Sequence, residues 1–389
     1  MRGCLLSDDG VVNSYLPEDN WTTATRDGSA GQVMVEIPEF YIRFRYDTTT
    51  HIQEVRMSLM PFNGAQLWKK IYVSAYYASL QRSTLKLCSV YNTTDDYRGG
   101  NNNSAYDGTY RDMRGTAATL INRTNYRKYA RNRNNGDTRW NCYTWQAHLM
   151  IYWLFTVEYA TLNCQLAINS ELTDDGYKQG GLGSGCVFDY SKWVTYNGVY
   201  PFLKNGYTDS LGNGSGEISY TVTNDDASVN VTGNVNRYRG IEAPFSYLFI
   251  HTDGININID CDTDKVDGAT GLSSVYRCDN PSKFVDTITD DYKLVTNKFP
   301  RSDGYITKEF IGENGDIIPI NNTSGSSTTF YCDKMLSNSS TYTSRNVQRT
   351  FLLGGSAYHS TFEGFAFVDS TSDATNVGAS LGTRLCYIE

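Results

Sequence analysis

The segment Tyr143–Leu162 constrains the fold more than any other stretch, because it reads as a helix that is apolar almost all round. Its apolar residues at helical spacing are Trp145, Leu149, Tyr152 and Trp153 on one side and Ile151, Leu154 and Val157 on the other. A helix without a polar face is buried. We therefore expect it at the centre of a packed domain, with its aromatic stripe in the core rather than at a cofactor site.

A second, shorter helix is predicted just before the first. Thr124 is a suitable N-cap, and the helix would run through Arg133 with Tyr126, Tyr129 and Ala130 on one face. The two helices are the only long helical patterns in the chain, so we expect them to form its helical framework.

Basic residues are concentrated around the shorter helix. Between positions 111 and 139 the chain has two acidic residues, Asp112 and Asp137, and eight basic ones, namely Arg111, Arg114, Arg123, Arg127, Lys128, Arg131, Arg133 and Arg139. A solvated helix face and a phosphate-binding surface are the two interpretations. We favour the solvated face and expect no nucleic-acid partner, because the whole chain has a net charge of −8.

The rest of the chain favours strands and turns, since its 389 residues include 30 tyrosines and 34 glycines and only 20% are charged. Alternating polar and apolar residues in Val33–Tyr46 and again in His51–Leu59 predict a β-hairpin, with Pro38 at an edge or a bulge. Two main helices among many short strands predict an α+β fold with long loops. We expect one domain at residues 61–389, preceded by an N-terminal β-hairpin element at residues 1–60 that serves assembly or attachment.

The sequence contains no strong metal or redox motif. Its nine cysteines include no CxxC pair, which argues against zinc knuckles and thioredoxin-type sites, and we expect them to be mostly reduced. The run Asp260–Asp267 spaces four aspartates as D-x-D-x-D-x-x-D, but Lys265 stands where a calcium-binding EF-hand has glycine. We expect an exposed acidic loop and no cofactor, with a structural calcium ion as the alternative.

No segment indicates secretion or insertion into a membrane. Met1–Asp9 has no apolar run of the length that a signal peptide needs. The most hydrophobic segment, Ala147–Ala160, is interrupted by His148 and Glu158 and is too short to span a bilayer. We therefore expect synthesis in a cytoplasm, without a signal peptide and without membrane insertion.

The stretch Phe351–Glu389, here called the terminal segment, has the pattern most typical of a functional surface. Its rigid-looking ends, Leu352–Gly355 and Ser380–Ile388, flank aromatic, hydroxyl, amide and acidic side chains that follow one another without strand or helix period. An irregular, aromatic-rich loop held at both ends is typical of a surface that displays contacts. We predict a ligand-display loop at residues 354–379.

Four separated stretches of the sequence resemble one family. They are CLLSDDGVVNSYL with GQVMVEIPEFY (Cys4–Leu16 and Gly31–Tyr41), the helix pair within Asn122–Gln165, YRGIEAPFSYLFIHTDGININ (Tyr238–Asn258) and LGGS…LGTRLCYI (Leu353–Ile388). Together they are similar to phage tail-fibre receptor-binding proteins with a C-type-lectin-like, formylglycine-generating-enzyme-like fold, which are related to retroelement-diversified variable proteins. The chain departs from the usual Asn-Pro-Phe-Gly of the third stretch with Ala243-Pro244-Phe245-Ser246 and has Phe249 at an expected tryptophan.

This resemblance implies a non-catalytic adhesin of the virion tail that binds a host-surface glycan or protein through its terminal loop. It also implies synthesis in a bacterial host and other tail proteins as partners. Because multivalency strengthens weak contacts, we expect a homo-oligomer, with a trimer as the expected arrangement. The receptor-contact residues that it implies are Ser356, Ala357, Tyr358, His359, Ser360, Thr361, Phe362, Glu363, Phe365, Phe367, Asp369, Ser370 and Asn376.

Two alternative functions stay open at this point. The chain could serve as a purely structural component of the virion tail, with the terminal loop packed against a neighbour. It could also be an enzyme of the formylglycine-generating type, because the resembling fold hosts such enzymes. Those enzymes use a cysteine pair, for which Cys332 and Cys386 are the candidates here.

Overall fold

Strands dominate the architecture of this chain. The computed structural model describes residues 1–109, 112–169, 181–182, 203–223, 230–259, 272–328, 331–337, 347–358 and 362–389. Strands account for 37% and helices for 14% of the structure, which is divided among many small sheets. The α+β class predicted from the sequence, with two main helices in a C-type-lectin-like domain, is therefore wrong, and the fold is β-rich.

Within the described residues there are 26 strands and three α-helices. The strands are β1 Arg2–Leu6, β2 Val12–Tyr15, β3 Gln32–Ile37, β4 Phe40–Tyr46, β5 Gln53–Ser58, β6 Gln66–Trp68, β7 Ile71–Ser74, β8 Ser79–Gln81, β9 Lys86–Cys88, β10 Trp140–Cys142, β11 Gly216–Thr223, β12 Asn230–Tyr238, β13 Ile241–Glu242, β14 Phe249–His251, β15 Ile255–Ile259, β16 Leu272–Arg277, β17 Lys293–Pro300, β18 Gly304–Tyr305, β19 Lys308–Ile311, β20 Ile317–Asn321, β21 Lys334–Leu336, β22 Val347–Arg349, β23 Leu352–Leu353, β24 Val368–Asp369, β25 Leu381–Gly382 and β26 Leu385–Ile388. The helices are α1 Arg123–Arg131, α2 Trp145–Tyr159 and α3 Cys164–Ile168.

One six-stranded sheet joins the two ends of the chain. Its strand order is β10-β26-β7-β3-β1-β2, and every neighbouring pair is antiparallel. All four residues of β26 are buried, and Cys386 in this strand lies opposite Val73 in β7, which in turn lies opposite Val35 in β3. The terminal segment therefore ends inside the core of the molecule.

A second six-stranded sheet contains the remaining strands of the terminal segment. Its order is β18-β21-β24-β23-β14-β25, and it is mixed, because β21 and β24 are parallel, as are β14 and β25. None of its strands exceeds three residues. This sheet fixes the position of the terminal segment on both sides of its irregular part.

The other sheets are smaller. They are four-stranded (β17-β16-β15-β22), three-stranded (β11-β12-β13 and β5-β4-β6) and two-stranded (β19-β20 and β8-β9). The hairpin predicted near the N-terminus is found as β4 and β5, which pair from Tyr41 opposite Ser58 to Tyr46 opposite Gln53. Pro38 lies between β3 and β4, so it separates two sheets instead of marking an edge or a bulge.

Helix α2 is the buried helix that the sequence predicts, although it is shorter than expected. The Thr144 hydroxyl oxygen caps it by accepting a hydrogen bond from the Ala147 N–H (3.2 Å), and it ends before Ala160, which has a φ of +50°. Nine of its fifteen residues are buried. The indole N–H of Trp145 donates to Asp316 (2.8 Å) and that of Trp153 to the Gly315 carbonyl oxygen (2.7 Å), so the aromatic stripe is confirmed as core.

Helix α1 corrects the interpretation of the basic cluster as a solvated face. Arg123 is fully buried and Arg127 is 7% exposed. Arg127 forms a bidentate pair with Asp253, at 2.8 Å from Nε and 2.7 Å from Nη2, and Arg123 Nε lies 2.9 Å from Asp286. The basic residues on this side of the helix therefore join it to β14 and its neighbours by buried ion pairs, and Arg133 is likewise buried beside Asp8.

Candidate functional site

The terminal segment leaves β23 through two glycines and is held there by backbone hydrogen bonds. The Gly354 carbonyl oxygen accepts from the Ser246 N–H (2.7 Å), and the Ala357 N–H donates to the Tyr247 carbonyl oxygen (2.9 Å). Gly354 and Gly355 have φ of +74° and +70°, a left-handed conformation that glycine adopts without steric cost. The chain therefore turns sharply at the start of the predicted display loop.

The buried carboxyl group of Glu363 closes this turn. It accepts a hydrogen bond from the Ser356 N–H, and the Glu363 carbonyl oxygen accepts another from the Ser246 hydroxyl (3.1 Å). A Cβ on Gly355 would overlap this carboxyl group. Burial raises the pKa of Glu363 well above its ordinary value. Glu363 therefore stabilises the turn of the segment from the interior of the protein.

A second buried carboxyl group anchors the segment further along. Asp333 accepts a hydrogen bond from the Ala366 N–H (2.9 Å), and the Cys164 Sγ accepts one from the Phe365 N–H (3.2 Å). Gly364 lies so close to Cys164 and Asp333 that no side chain fits there. Burial raises the pKa values of Asp333 and Cys164 above their ordinary values. The backbone of residues 364–366 is thus fixed from the inside.

The backbone of Ala243–Ser246, to which Gly354 is hydrogen-bonded, is strained. Ala243 and Ser246 have φ of +43° and +59°, which side-chain-bearing residues rarely adopt. The Ala243 N–H donates to the Asn236 carbonyl oxygen (2.7 Å), and Arg384 Nη2 donates to the Ala243 carbonyl oxygen (2.7 Å). A strained residue of this kind costs about 1–3 kcal/mol, and the two bonds offset that cost at Ala243. The departure from Asn-Pro-Phe-Gly in this stretch therefore falls at the two strained positions.

Most of the predicted receptor-contact residues are buried in the interior of the protein. Those that are buried are Ser356, Ala357, Glu363, Phe365, Phe367, Asp369 and Ser370. The ring of Phe365 lies 5.0 Å from that of Phe155 and 5.1 Å from that of Phe245. In this structure these seven side chains cannot reach a receptor, because they pack against the protein itself.

Three of the predicted contact residues have accessible side chains. Tyr358 is 37% exposed, Phe362 is half-buried, and Asn376 is exposed while its side-chain amide donates to the Ser372 hydroxyl (2.7 Å). His359, Ser360 and Thr361 lie outside the described residues. The structure therefore brings Tyr358 and Phe362 to the surface on either side of those three positions.

Phe362 belongs to a half-buried surface cluster of Tyr305, Lys334 and Phe362, here called the aromatic–lysine group. Lys334 Nζ lies 4.0 Å from the ring centroid of Phe362 and 4.8 Å from that of Tyr305. The two rings are 6.3 Å apart and nearly perpendicular. Tyr305 is opposite Lys334 in the antiparallel pair of β18 and β21, at one edge of the second six-stranded sheet. All three residues are half-buried, so their outer faces are accessible to a ligand.

Sequence reasoning identified Phe362 but missed Tyr305 and Lys334. Both lie in strands of two or three residues, within stretches that the sequence presents as loop. Their proximity to Phe362 depends on β21 pairing with β24, and no local pattern encodes that pairing.

The aromatic–lysine group is suited to binding and carries no evident reactive centre. Aromatic faces stack on sugar rings or bury apolar side chains, and an ammonium group between them attracts anionic or polar groups. Among the described residues, no group of three or more His, Cys, Asp or Glu side chains is placed to hold a metal ion. The acidic run Asp260–Asp267 lies outside the described residues.

Three cavities of the described structure lie away from the aromatic–lysine group. One of about 550 Å³ is lined by Asp8, Asp27, Lys86 and Arg133 among others. A second, of about 730 Å³, adjoins Arg2, and a third, of about 380 Å³, lies between β6 and the end of β26. None of these three cavities is lined by Tyr305, Lys334 or Phe362.

The two cysteines that an enzymatic alternative would require are both buried. Cys332 contacts Gln165 through its sulfur atom (3.4 Å). Cys386 lies in β26, which belongs to the first six-stranded sheet. Burial raises the pKa of Cys386 to about 12 and also raises that of Cys332. Seven of the nine cysteines fall within the described residues, and all seven are unpaired thiols. Buried thiols of this kind are poor nucleophiles at neutral pH.

Comparison with known sequences adds no family assignment. No protein-family model matches this chain, and no curated protein is significantly similar to it. Within the described part of the chain, no helix combines the length and apolar character needed to cross a membrane.

Proposed function

We propose that this protein is an adhesin of a phage tail fibre or tail tip that binds a host-surface glycan or protein without catalysing a reaction. The receptor contacts the aromatic–lysine group and the adjacent Tyr358. The protein is made in the bacterial host and acts in the virion tail, alongside other tail proteins and as a homo-oligomer, for which a trimer is the arrangement expected from the resemblance.

The observation that carries this proposal is the contrast between the interior and the surface of the terminal segment. Buried Glu363 and Asp333 hold its backbone from within, while Phe362 and Lys334 present an aromatic face and a cation outside. A fixed backbone reduces the entropy that is lost when a ligand binds. Rigid aromatic residues beside a flexible cation are typical of recognition surfaces.

A purely structural role in the virion tail is the second candidate. It is favoured by the burial of seven predicted contact residues, since a segment whose side chains mostly face inward also fits a packing role. The two roles differ in what the exposed part of the segment does. An adhesin binds host cells and loses that binding when Phe362 is truncated, whereas a purely structural component binds no host cell.

The test compares the purified wild-type protein with Phe362→Ala and Lys334→Ala variants for binding to a panel of intact bacterial cells. We expect Phe362→Ala to weaken binding roughly 30-fold, as loss of a hot-spot aromatic residue does. Tyr91→Ala is the matched control, because Tyr91 is 40% exposed and also contacts a cation, with the Arg26 guanidinium 5.0 Å from its ring centroid.

Unchanged melting temperatures and circular dichroism would establish that the variants are folded. Equal binding by Phe362→Ala and Tyr91→Ala would contradict the proposed contact surface. Absence of binding by the wild-type protein to every cell type would favour the structural role.

A further inference from the structure

The most exposed apolar side chains of the described structure lie around β5. Leu59 is 74% exposed, Met60 71% and Ile52 61%, and these three residues flank β5 at its two ends. Apolar side chains exposed at both ends of one strand would lose contact with water if that strand paired with another. Neither the receptor-binding proposal nor the core of the chain accounts for them.

Strand β5 is also an edge strand. The sheet order β5-β4-β6 leaves one side of β5 without a partner among the described residues. Backbone N–H and C=O groups along such an edge are ready to pair with another strand. Charged side chains protect many open edges, and the two charges of β5, on Glu54 and Arg56, are of opposite sign and two residues apart.

These charges make β5 complementary to a second copy of itself. We propose that two copies of this chain pair through antiparallel β5 strands, with Val55 opposite Val55 of the second copy. In this register Glu54 of each strand lies opposite Arg56 of the other, so the contact contains two opposite-charge pairs. Directly opposed charges of opposite sign stabilise an antiparallel pair, and like charges destabilise it.

The surroundings of Arg56 within one chain favour an additional acidic partner. In the hairpin, Arg56 lies opposite Arg43, and both contact the single carboxylate of Glu54, at 3.1 Å and 2.7 Å. Arg56 remains 63% exposed. Glu54 of a second copy would place a further carboxylate beside Arg56 and offset its repulsion by Arg43.

The same register covers the exposed apolar ends. Ile52 of one copy comes level with Ser58 of the other, at the end of β5 that Leu59 and Met60 follow. Because the pairing is antiparallel, this happens at both ends of the contact. The two three-stranded sheets become one six-stranded sheet, in which the inward-facing Val55 and Met57 of both copies stay on the core side.

A self-complementary contact of this kind is two-fold and isologous. It yields dimers, or assemblies of six where copies also meet about a three-fold axis. The pairing does not depend on the receptor contact, which uses another sheet.

Sedimentation velocity and light scattering on the full chain test this pairing. We expect the wild-type protein to have the mass of two or six copies. Arg56→Glu brings two carboxylates face to face at each of the two charge pairs, and we expect the dissociation constant for the pair of copies to rise roughly tenfold or more. The double variant Glu54→Arg/Arg56→Glu restores opposite charges in the same register, and we expect the wild-type mass to return.

Lys128→Glu is the control, because it reverses an exposed charge on α1 without touching β5. It should keep the wild-type mass. A wild-type protein that is monomeric at its highest soluble concentration, or exclusively trimeric, would overturn the proposal. So would an Arg56→Glu variant that associates like wild type, or a folded double variant that fails to recover.

Discussion

At the scale of single residues, the terminal segment depends on one glycine beside one buried carboxyl group. Gly355 combines a φ of +70° with a position where the Glu363 carboxyl group fills the space of a side chain. Either feature alone excludes most residues. Together they explain why an otherwise irregular segment has one defined path.

We expect Gly355→Ala to lower the free energy of unfolding by about 3 kcal/mol, since it adds backbone strain and forces Glu363 away from the Ser356 N–H. Gly136→Ala is the matched control, because Gly136 also has a positive φ, +88°, but a Cβ there meets nothing within 4 Å. That variant should lose only about 1 kcal/mol. Urea unfolding measures both, and equal losses would show that Glu363 does not fill the space beside Gly355.

At the scale of elements, α1 is attached to the sheets by charges rather than by a broad apolar face. Burial alone would raise the pKa of Asp286, but Arg123 and Arg127 lower it to about 2. Arg127 also forms the bidentate pair with fully buried Asp253. Removing the cation would leave these carboxylates partly unpaired in a buried setting.

We therefore expect Arg127→Ala to lower the free energy of unfolding by about 3 kcal/mol, because a buried charge that loses its partner is costly. The neighbouring Lys128 is exposed, and Lys128→Ala should change stability by no more than about 0.5 kcal/mol. Guanidinium unfolding followed by tryptophan fluorescence distinguishes the two. Similar small changes in both variants would mean that the Arg127–Asp253 pair contributes little net stability.

The sequence predicts long periodic elements of this fold and misses the short ones. Helix α2 is evident because fifteen residues carry one continuous apolar pattern, and the β4–β5 hairpin is evident because its alternation extends over both arms. Strands such as Gly304–Tyr305 and Val368–Asp369 are too short to show a period of two. Many short strands are expected from the sequence as a whole, and the wrong fold class came from giving two helices the same weight, whereas strands account for 37% and helices for 14% of the structure.

Placement of the site depends on contacts between distant parts of the chain. Arginines of α1 look like surface charges in the sequence, and their burial follows from Asp253, which lies 126 residues beyond Arg127. The aromatic–lysine group likewise forms only when β18, β21 and β24 pair. Phe362 could be chosen as a candidate because aromatic residues in an irregular segment are distinctive, whereas Lys334 offers no such signal.

At the scale of the whole molecule, buried ionisable groups make stability depend on pH in two directions. Burial raises the pKa of Glu309 from 4.5 to about 8, so above pH 4.5 the folded chain keeps a proton that the unfolded chain has lost. Stability therefore falls as pH rises between these values. Burial lowers the pKa values of His148 and His251 from 6.5 to about 3 and about 4, so stability also falls as pH drops below 6.5.

The interval from pH 6.5 to pH 8 reports mainly on the buried carboxyl groups, because both histidines are neutral there in the folded chain and lose their remaining protons in the unfolded chain as the pH rises above 6.5. Over this interval Glu309 should reduce the free energy of unfolding by at most about 1.4 kcal/mol per pH unit. Glu309→Gln keeps an oxygen that can accept from the Tyr152 hydroxyl (3.1 Å) and cannot ionise. We expect its urea midpoint to vary less with pH than that of the wild type.

The exposed Glu39 provides the control for this experiment, since Glu39→Gln removes a carboxyl group of the same type without removing a buried one. Its midpoint should follow the wild-type curve between pH 6.5 and pH 8. If the urea midpoint of Glu309→Gln changed with pH as much as that of the wild type, Glu309 would have to be ionised in the folded chain. Its carboxylate would then need a partner that Tyr152 and Tyr331 do not provide, because hydroxyl donors alone leave a buried carboxylate charge uncompensated.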